Sequence, residues 1–328
     1  MRVFLTGGSG LIGGALAERL VARGDEVVAL ARSDEAADKL QARGVQHTVR
    51  GDTLDEDALA EGMAGCELLY HVAGVNTLCA QDPALLLHVN VRGAETAVRA
   101  AARAHVPRVV LTSSSSTLGE VQGTIGTERS RHRGSYLSVY ERSKHEGELA
   151  AFAAARRANV ELIAINPSSV QGPGRASGTG RILIAYLNGR MKVFIDTHIS
   201  LVDIQDAVEA HILGAERGRP GERYLISGAT VTSREALEIV SEIAGVRHPV
   251  RFIPAVLAKA AAAAVEGTFR VRGKTPPVCR EMINTMLHGH RYDGSYAAHA
   301  LGLEYTPVQE TLRRTIEWAR AAGLVHAG

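Results

Sequence analysis

Tyr140 and Lys144, in the run Tyr140-Glu141-Arg142-Ser143-Lys144, are spaced so that a helix would carry both on one face. A tyrosine hydroxyl ordinarily keeps its proton up to a pH of about 10. A neighbouring ammonium favours the phenolate, so this pair could exchange a proton near neutral pH. Upstream, the apolar run Val109-Val110-Leu111 passes into Thr112-Ser113-Ser114-Ser115-Ser116-Thr117-Leu118-Gly119, whose hydroxyls could polarise a carbonyl. A third signal opens the chain, where Arg2-Val3-Phe4-Leu5 leads into Thr6-Gly7-Gly8-Ser9-Gly10-Leu11-Ile12-Gly13. Gly7 allows a tight turn, Gly10 lets the backbone approach a pyrophosphate, and Gly13 lets a helix pack close to a strand. The first turn of that helix offers unpaired N–H groups to the anion. Each signal alone has an ordinary explanation: a solvated Tyr/Lys pair, a serine-rich loop, a glycine-rich turn. Together they describe proton handling, carbonyl polarisation and dinucleotide binding at the carboxyl end of one sheet.

The elements needed to position these residues are legible. Leu11, Ile12, Leu16, Leu20 and Val21 repeat at helical spacing until Gly24, and a second strand follows over Glu26 to Leu30. Further β-rich runs cover residues 45–50, 68–73, 109–113 and 160–165, with helical periodicity over 34–43, 55–64, 84–105 and 139–158 between them. This alternation predicts an α/β fold with a doubly wound parallel sheet of Rossmann type, its mostly apolar strands covered on both faces. After Asn166 the chain turns rich in Gly, Pro and Ser. Residues 1–165, with a return segment at about 196–227, are expected to form the dinucleotide-binding domain. Residues 166–195 and 228–328 are expected to form a smaller substrate-binding α/β region, with helices near 181–190, 233–244, 255–266 and 307–322 and a strand near 192–195, while a strand at 222–227 falls in the return segment.

Bulk properties narrow the function. Over 328 residues, 37 basic side chains against 35 acidic ones give no electrostatic case for nucleic acid or an anionic membrane. The alanine-rich stretch Ala255 to Val265 is interrupted by Lys259 and is too short to span a bilayer. A strand starting at residue 2 leaves no room for a cleavable signal, so a cytoplasmic location is expected. Cys66, Cys79 and Cys279 are odd in number and lack metal-ligand spacing. They read as small buried thiols in a reducing compartment, and no metal ligand is assigned.

The chain resembles the extended short-chain dehydrogenase/reductase, or NAD-dependent epimerase/dehydratase, family along nearly its whole length. Gly7, Gly10 and Gly13 match the family's GxxGxxG, and Tyr140 with Lys144 matches its YxxxK. The catalytic serine falls on Ser114, with Ser115 in reserve because a run of four serines permits a one-residue slip. The resemblance implies cofactor contacts from Leu11 and Ile12, from Asp52 and Thr53, from Val72, Ala73 and Gly74 beside His71, from Asn90, and from Pro167 and Ser169 beside the nicotinamide. Asn90 reads equally well as a structural amide. Tyr140 would then be the acid/base, Lys144 would lower its pKa and hold the nicotinamide ribose, and Ser114 would donate to the carbonyl oxygen.

The second strand ends Ala29-Leu30-Ala31-Arg32-Ser33, without an acidic residue for the ribose hydroxyls. Arg32 suits a 2′-phosphate, so NADP(H) is favoured over NAD(H), with Lys39 as a second contact; Asp34 and Glu35 temper that reading. The family's dehydratases place an acid directly after a catalytic threonine, and Ser113-Ser114-Ser115 has none. Its nucleotide-sugar epimerases place an arginine where this chain has Ile199, although Arg175, Arg181 or Arg190 could substitute. The dihydroflavonol reductase-like branch fits best, implying hydride exchange with a ketone or secondary alcohol of a small, largely apolar substrate. The alternatives are a sugar or nucleotide-sugar epimerase using tightly bound NAD and, last, a non-catalytic sensor. Arg129, Arg131, His132 and Arg133 could meet an anionic substrate but read better as a solvated loop. Family members pair through helices that would here lie near 84–105 and 139–158, implying a homodimer.

Overall fold

The computed structural model describes residues 1–325. Twelve strands alternate with helices: β1 (Arg2–Thr6), β2 (Glu26–Ala31), β3 (His47–Arg50), β4 (Leu68–His71), β5 (Arg108–Thr112), β6 (Glu161–Pro167), β7 (Ser169–Gln171), β8 (Val193–Phe194), β9 (His198–Asp203), β10 (Arg223–Ile226), β11 (Ala229–Thr232) and β12 (Arg251–Phe252). The first half carries helices α1 (Leu11–Ala22), α2 (Asp34–Gln41), α3 (Glu56–Gly62), α4 (Pro83–Leu87), α5 (Gly93–Arg103) and α6 (Val139–Ala158). The second carries α7 (Thr179–Leu187), α8 (Ile204–Arg217), α9 (Ser233–Ala244), α10 (Ala255–Val271), α11 (Arg280–His288), α12 (Ser295–Leu301) and α13 (Val308–Ala321).

Seven strands form one parallel sheet in the order β10-β6-β5-β4-β1-β2-β3. Side chains alternate across it, as the two-residue period of a strand requires. Val3 and Leu5 enter a core with Leu16 and Leu20 of α1 and Val208 and Ile212 of α8. Phe4 faces the other way, toward Leu59 of α3, Ala97 and Ala101 of α5 and Ala151 and Ala155 of α6. Both faces are therefore apolar, which explains why these strands read as continuous hydrophobic runs. Complete burial of Leu16 and Leu20 contributes about 1.5–3 kcal/mol each. The strand order reverses between β1 and β4, and the crevice at their carboxyl ends is where an open α/β sheet binds its ligand.

The helical stretch expected over 84–105 is interrupted: α4 gives way to one wide π-turn at His88–Arg92 before α5. Of the returning segment, α8 packs on the large sheet and β10 adds its edge strand, whereas β9 stands in a three-stranded sheet between β7 and β11. A separate apolar cluster joins α7, α9 and α13 through Tyr186, Val240, Leu312 and Ile316. No helix of the described residues is long and apolar enough to cross a membrane.

One expectation is overturned. All three cysteines are buried, but Cys79 and Cys279 form a disulfide, their Cα atoms 5.7 Å apart across 200 residues of sequence; only Cys66 is free. Sequence spacing does not reveal a pair that only the fold brings together. Disulfides persist in oxidising surroundings, so cysteine usage no longer argues for a reducing compartment.

Candidate active site

The turn after β1 is built for an anion. Gly10 caps α1 without a side-chain hydrogen bond, and the first turn holds no acidic residue, so its N–H groups remain open. By contrast, α2, α3, α4, α6, α8 and α9 are all capped by their own side chains. Gly7 has φ +73°, and a Cβ there would lie 2.6 Å from the Ala73 nitrogen. At Gly13 a Cβ would lie 2.2 Å from the Gly7 carbonyl oxygen, so the third glycine serves helix-to-turn packing.

From this turn a cavity of about 1040 Å³ runs along the carboxyl ends of β1, β4, β5 and β6. That is at the upper end of single-ligand pockets, about 300–1,000 Å³. Gly7, Gly10, Leu11, Ile12, Arg32, Thr53, Val72, Ala73, Gly74, Ser114, Tyr140, Lys144, Pro167 and Ser169 all line it. Gly13, Asp52 and Asn90 are not among its lining residues. The Asp52 carboxylate accepts the Leu54 N–H at 3.0 Å. The Asn90 amide donates to the Val75 carbonyl at 2.9 Å and the Ser143 hydroxyl at 2.8 Å, and its oxygen accepts the Val75 N–H at 2.7 Å. Asn90, on the π-turn, thereby ties the loop after β4 to α6.

Ser138 caps α6 by accepting the Glu141 N–H at 3.1 Å, so the helix begins one residue before Tyr140. Four-residue spacing then carries Tyr140 and Lys144 to the cavity wall. The Tyr140 hydroxyl faces the Ser114 side chain, whose Oγ accepts the Ser116 hydroxyl at 2.9 Å. Ser115 engages Tyr292 instead. Lys144 donates through Nζ to the Thr112 carbonyl at 2.8 Å. Burial pushes its ammonium down to about 8 against the opposing charge of Glu148. Burial also raises the Tyr140 phenol above its ordinary value, while the Ser114 hydroxyl and the charge of Arg175 act the other way.

A buried network fixes the serine segment. Glu148, one turn beyond Lys144, accepts from Ser113, from Thr117 at 3.3 Å and from the Asn166 amide at 2.6 Å, and pairs with Arg223 at 2.7 Å. Asn166 also donates to the Ser114 carbonyl at 3.1 Å. His71 and His211 are held neutral by burial, pushed to about 3 and about 4. His211 donates from Nδ1 to the Ala207 carbonyl at 2.6 Å and takes the Thr112 hydroxyl at Nε2, 2.7 Å away.

Sequence reasoning missed several groups. Glu148 continues the Tyr140/Lys144 spacing by four, a signal that was present. Arg175 was named only as a substitute cation. Its guanidinium lines the cavity within electrostatic reach of Tyr140, its Nε is buried, and among the described residues it has no hydrogen-bond or ion-pair partner. Arg133 does not belong to a solvated loop: it pairs with buried Glu141 and donates to the Glu120 carbonyl, while His132 packs on His145 with ring centroids 4.2 Å apart. Glu120, His288 and His290 converge, with His290 on the cavity wall, although nothing in the sequence linked them. Arg32 lines the cavity without an ion-pair partner among the described residues. Its acidic neighbours are already engaged, Asp34 by Arg50 at 2.5 Å and Glu35 by Lys39 at 2.6 Å.

Comparison with known proteins places this geometry. Residues 3–227 match the model of the NAD dependent epimerase/dehydratase family. A Synechocystis protein named for dihydroflavonol 4-reductase is 30% identical, covering 98% of this chain and 95% of its own. The 4-hydroxy-2-methyl-3-oxo-4-farnesyl-3,4-dihydroquinoline-1-oxide ketoreductase of Stigmatella aurantiaca is 33% identical over 82% of this chain and 81% of its own. The crystal structure of gox2253 superimposes with a TM-score of 0.85 at 28% identity, covering 99% of each chain.

Proposed function

Because the chain belongs to the NAD-dependent epimerase/dehydratase family, as an extended short-chain dehydrogenase/reductase, we propose that it is an NADP(H)-preferring reductase of a ketone on a largely apolar substrate, working in either direction. The observation that carries this reading is the Tyr140 hydroxyl facing Ser114, one helical turn from partly buried Lys144, on the wall of the ligand cavity.

The glycine turn, the uncapped α1 N-terminus and the unpartnered Arg32 fit a phosphorylated dinucleotide. The nicotinamide, when bound, gives or takes the hydride. The chain's own residues handle the oxygen. Ser114 donates to it as charge develops, and Tyr140, kept protonated by burial, hands over its proton. Lys144 supplies a cation beneath the site and anchors to the Thr112 carbonyl of β5. Arg175 favours a substrate with an electron-rich oxygen beside the reacting carbonyl. Ile182, Leu183, Phe194, Leu237 and Met286 offer an apolar wall for the remainder. The reductase names of the Synechocystis and Stigmatella relatives agree with this reading. Association as a homodimer through α5 and α6 belongs to the same proposal.

A panel of hydrophobic ketones with NADPH tests it. Tyr140→Phe is expected to lower kcat by about 10²–10⁴, the usual span of general acid catalysis, with NADPH still bound. Tight non-exchanging NAD and no net turnover on any ketone would favour a cofactor-regenerating epimerase instead.

A further inference from the structure

Glu120, His288 and His290 form a second cluster of chemistry-bearing groups, of which His290 lines the cavity. Glu120 follows the short turn Ser115–Leu118 through Gly119, and the histidines come from the last residue of α11 and the segment after it, with Gly289 (φ +69°) between them. Glu120 Oε1 lies 2.6 Å from His290 Nδ1 and 3.4 Å from His288 Nε2. The two imidazole centroids are 4.7 Å apart. The Glu120 and His288 side chains are only 2% and 6% exposed. The Tyr292 hydroxyl reaches His290 Nδ1 at 3.0 Å, and both His290 and Tyr292 line the cavity.

Hydrogen bonding leaves this arrangement half satisfied. One N–H from His290 serves one carboxylate oxygen, while among the described residues Glu120 Oε2 is buried without a hydrogen-bond partner and His288 Nε2 faces Glu120 Oε1 at 3.4 Å without forming a hydrogen bond. Buried polar atoms are normally hydrogen-bonded, and two in one cluster that are not point to a ligand shared by the three side chains. One candidate ligand atom from each residue lies within 4.8 Å of the others. Bond lengths of about 2.0–2.2 Å to a tetrahedral zinc ion would space such atoms about 3.3 Å apart, so small side-chain adjustments suffice. Two imidazoles and a carboxylate are a donor set for divalent first-row metals, and three protein ligands leave a position open. Arg133, donating to the Glu120 carbonyl and paired with Glu141, braces the Glu120 segment from behind.

We infer that Glu120, His288 and His290 bind a divalent transition-metal ion of the zinc class, its open position turned to the cavity to take a substrate oxygen. Metal binding stands apart from the reductase reading; only the contact with substrate rests on it. The test uses the full chain, stripped with chelator and titrated with Co²⁺ alone by visible d–d absorption and with Zn²⁺ alone by calorimetry. Saturation at one ion per chain is expected, with the Co²⁺ bands lost in Glu120→Gln and His288→Gln while both variants still bind NADPH. Metal content of the untreated wild-type chain by mass spectrometry supplies a second readout that needs no variant, and near-stoichiometric metal is expected. A chain that neither retains metal nor shows a saturable Co²⁺ spectrum overturns the inference, leaving the trio a carboxylate–imidazole pair network. Bands that persist in both variants also overturn it, because the ion would then sit elsewhere. None of these readouts depends on turnover, so failure of the metal site and failure of the reductase reading are separable.

Discussion

Replacing Arg32 with alanine isolates the group on which cofactor choice turns. Arg32 stands exposed just past the end of β2 and lines the cavity. The two carboxylates nearest in sequence, which would otherwise favour ribose hydroxyls, are held by Arg50 and Lys39. A hydrogen bond to a charged group contributes about 1.5–3 kcal/mol, which spans about 12-fold to about 150-fold in affinity. Exposure to solvent places Arg32 toward the lower part of that range, since screening by salt weakens exposed charges. The assay is kcat/KM for NADPH and for NADH, in wild type and Arg32→Ala, at low and high ionic strength. NADPH efficiency should fall about 10–50-fold and NADH efficiency by no more than about twofold, with the wild-type preference narrowing in salt. An equal loss for both cofactors, or a wild-type preference for NADH, would refute the reasoning, because a 2′-phosphate contact cannot affect a cofactor that lacks the phosphate.

Three further outcomes follow from the geometry. Gly13→Ala places a Cβ 2.2 Å from the Gly7 carbonyl oxygen, a backbone atom that has to move; thermal unfolding should show a loss of about 1–3 kcal/mol, with weakened NADPH binding in titration. Lys144, held near 8 by burial, is cationic below that pH and neutral above it; kcat/KM for ketone reduction should therefore decline as pH rises through about 8, and a limb first appearing near the ordinary lysine value of about 10.4 would contradict its burial. Reducing the Cys79–Cys279 bond, which ties the loop after β4 to the start of α11, should lower the urea midpoint by the equivalent of about 2–4 kcal/mol in wild type and leave Cys79→Ser/Cys279→Ser unaffected; a wild-type midpoint insensitive to reductant would remove the bond from the account.

What the sequence disclosed was local. The glycines at 7, 10 and 13 and the Tyr140/Lys144 spacing lie within one turn and one helix, so their geometry follows from short-range rules. The strands β1, β2, β4, β5 and β6 were legible because burial on both faces makes them nearly continuous apolar runs. The strands β7, β11 and β12 span only two to four residues and, unlike β4 and β10 of similar length, carry no run of three apolar residues. The resemblance brought Asn90 forward, but only the structure shows its amide spent on Val75 and Ser143. The Cys79–Cys279 bond and the Glu120–His288–His290 cluster join segments more than 160 residues apart, and no spacing rule reaches that far. Arg175 was visible as a cation, yet what marks it is that its guanidinium, beside Tyr140, has no partner among the described residues, which is a property of the fold alone.

The network around Glu148 explains how a run of four serines presents one particular hydroxyl. Tyr140, Lys144 and Glu148 occupy successive turns of α6. The first two line the cavity, while the third reaches Ser113 and Thr117 on either side of Ser114. Asn166, at the end of β6, joins the Glu148 carboxylate to the Ser114 carbonyl. The segment between β5 and the short turn is thereby held from one rigid helix and one strand, so the Ser114 hydroxyl meets Tyr140 while Ser115 turns toward Tyr292. A buried ion pair such as Glu148 with Arg223 is a poor source of net stability, because desolvating both charges offsets most of their attraction. An aliphatic residue at position 148 would pack as well but would leave the Ser113 hydroxyl and the Asn166 amide without this acceptor. The buried carboxylate is accounted for by the register it imposes on the serines, and that register aligns the oxygen-polarising donor with the proton donor on the same helix.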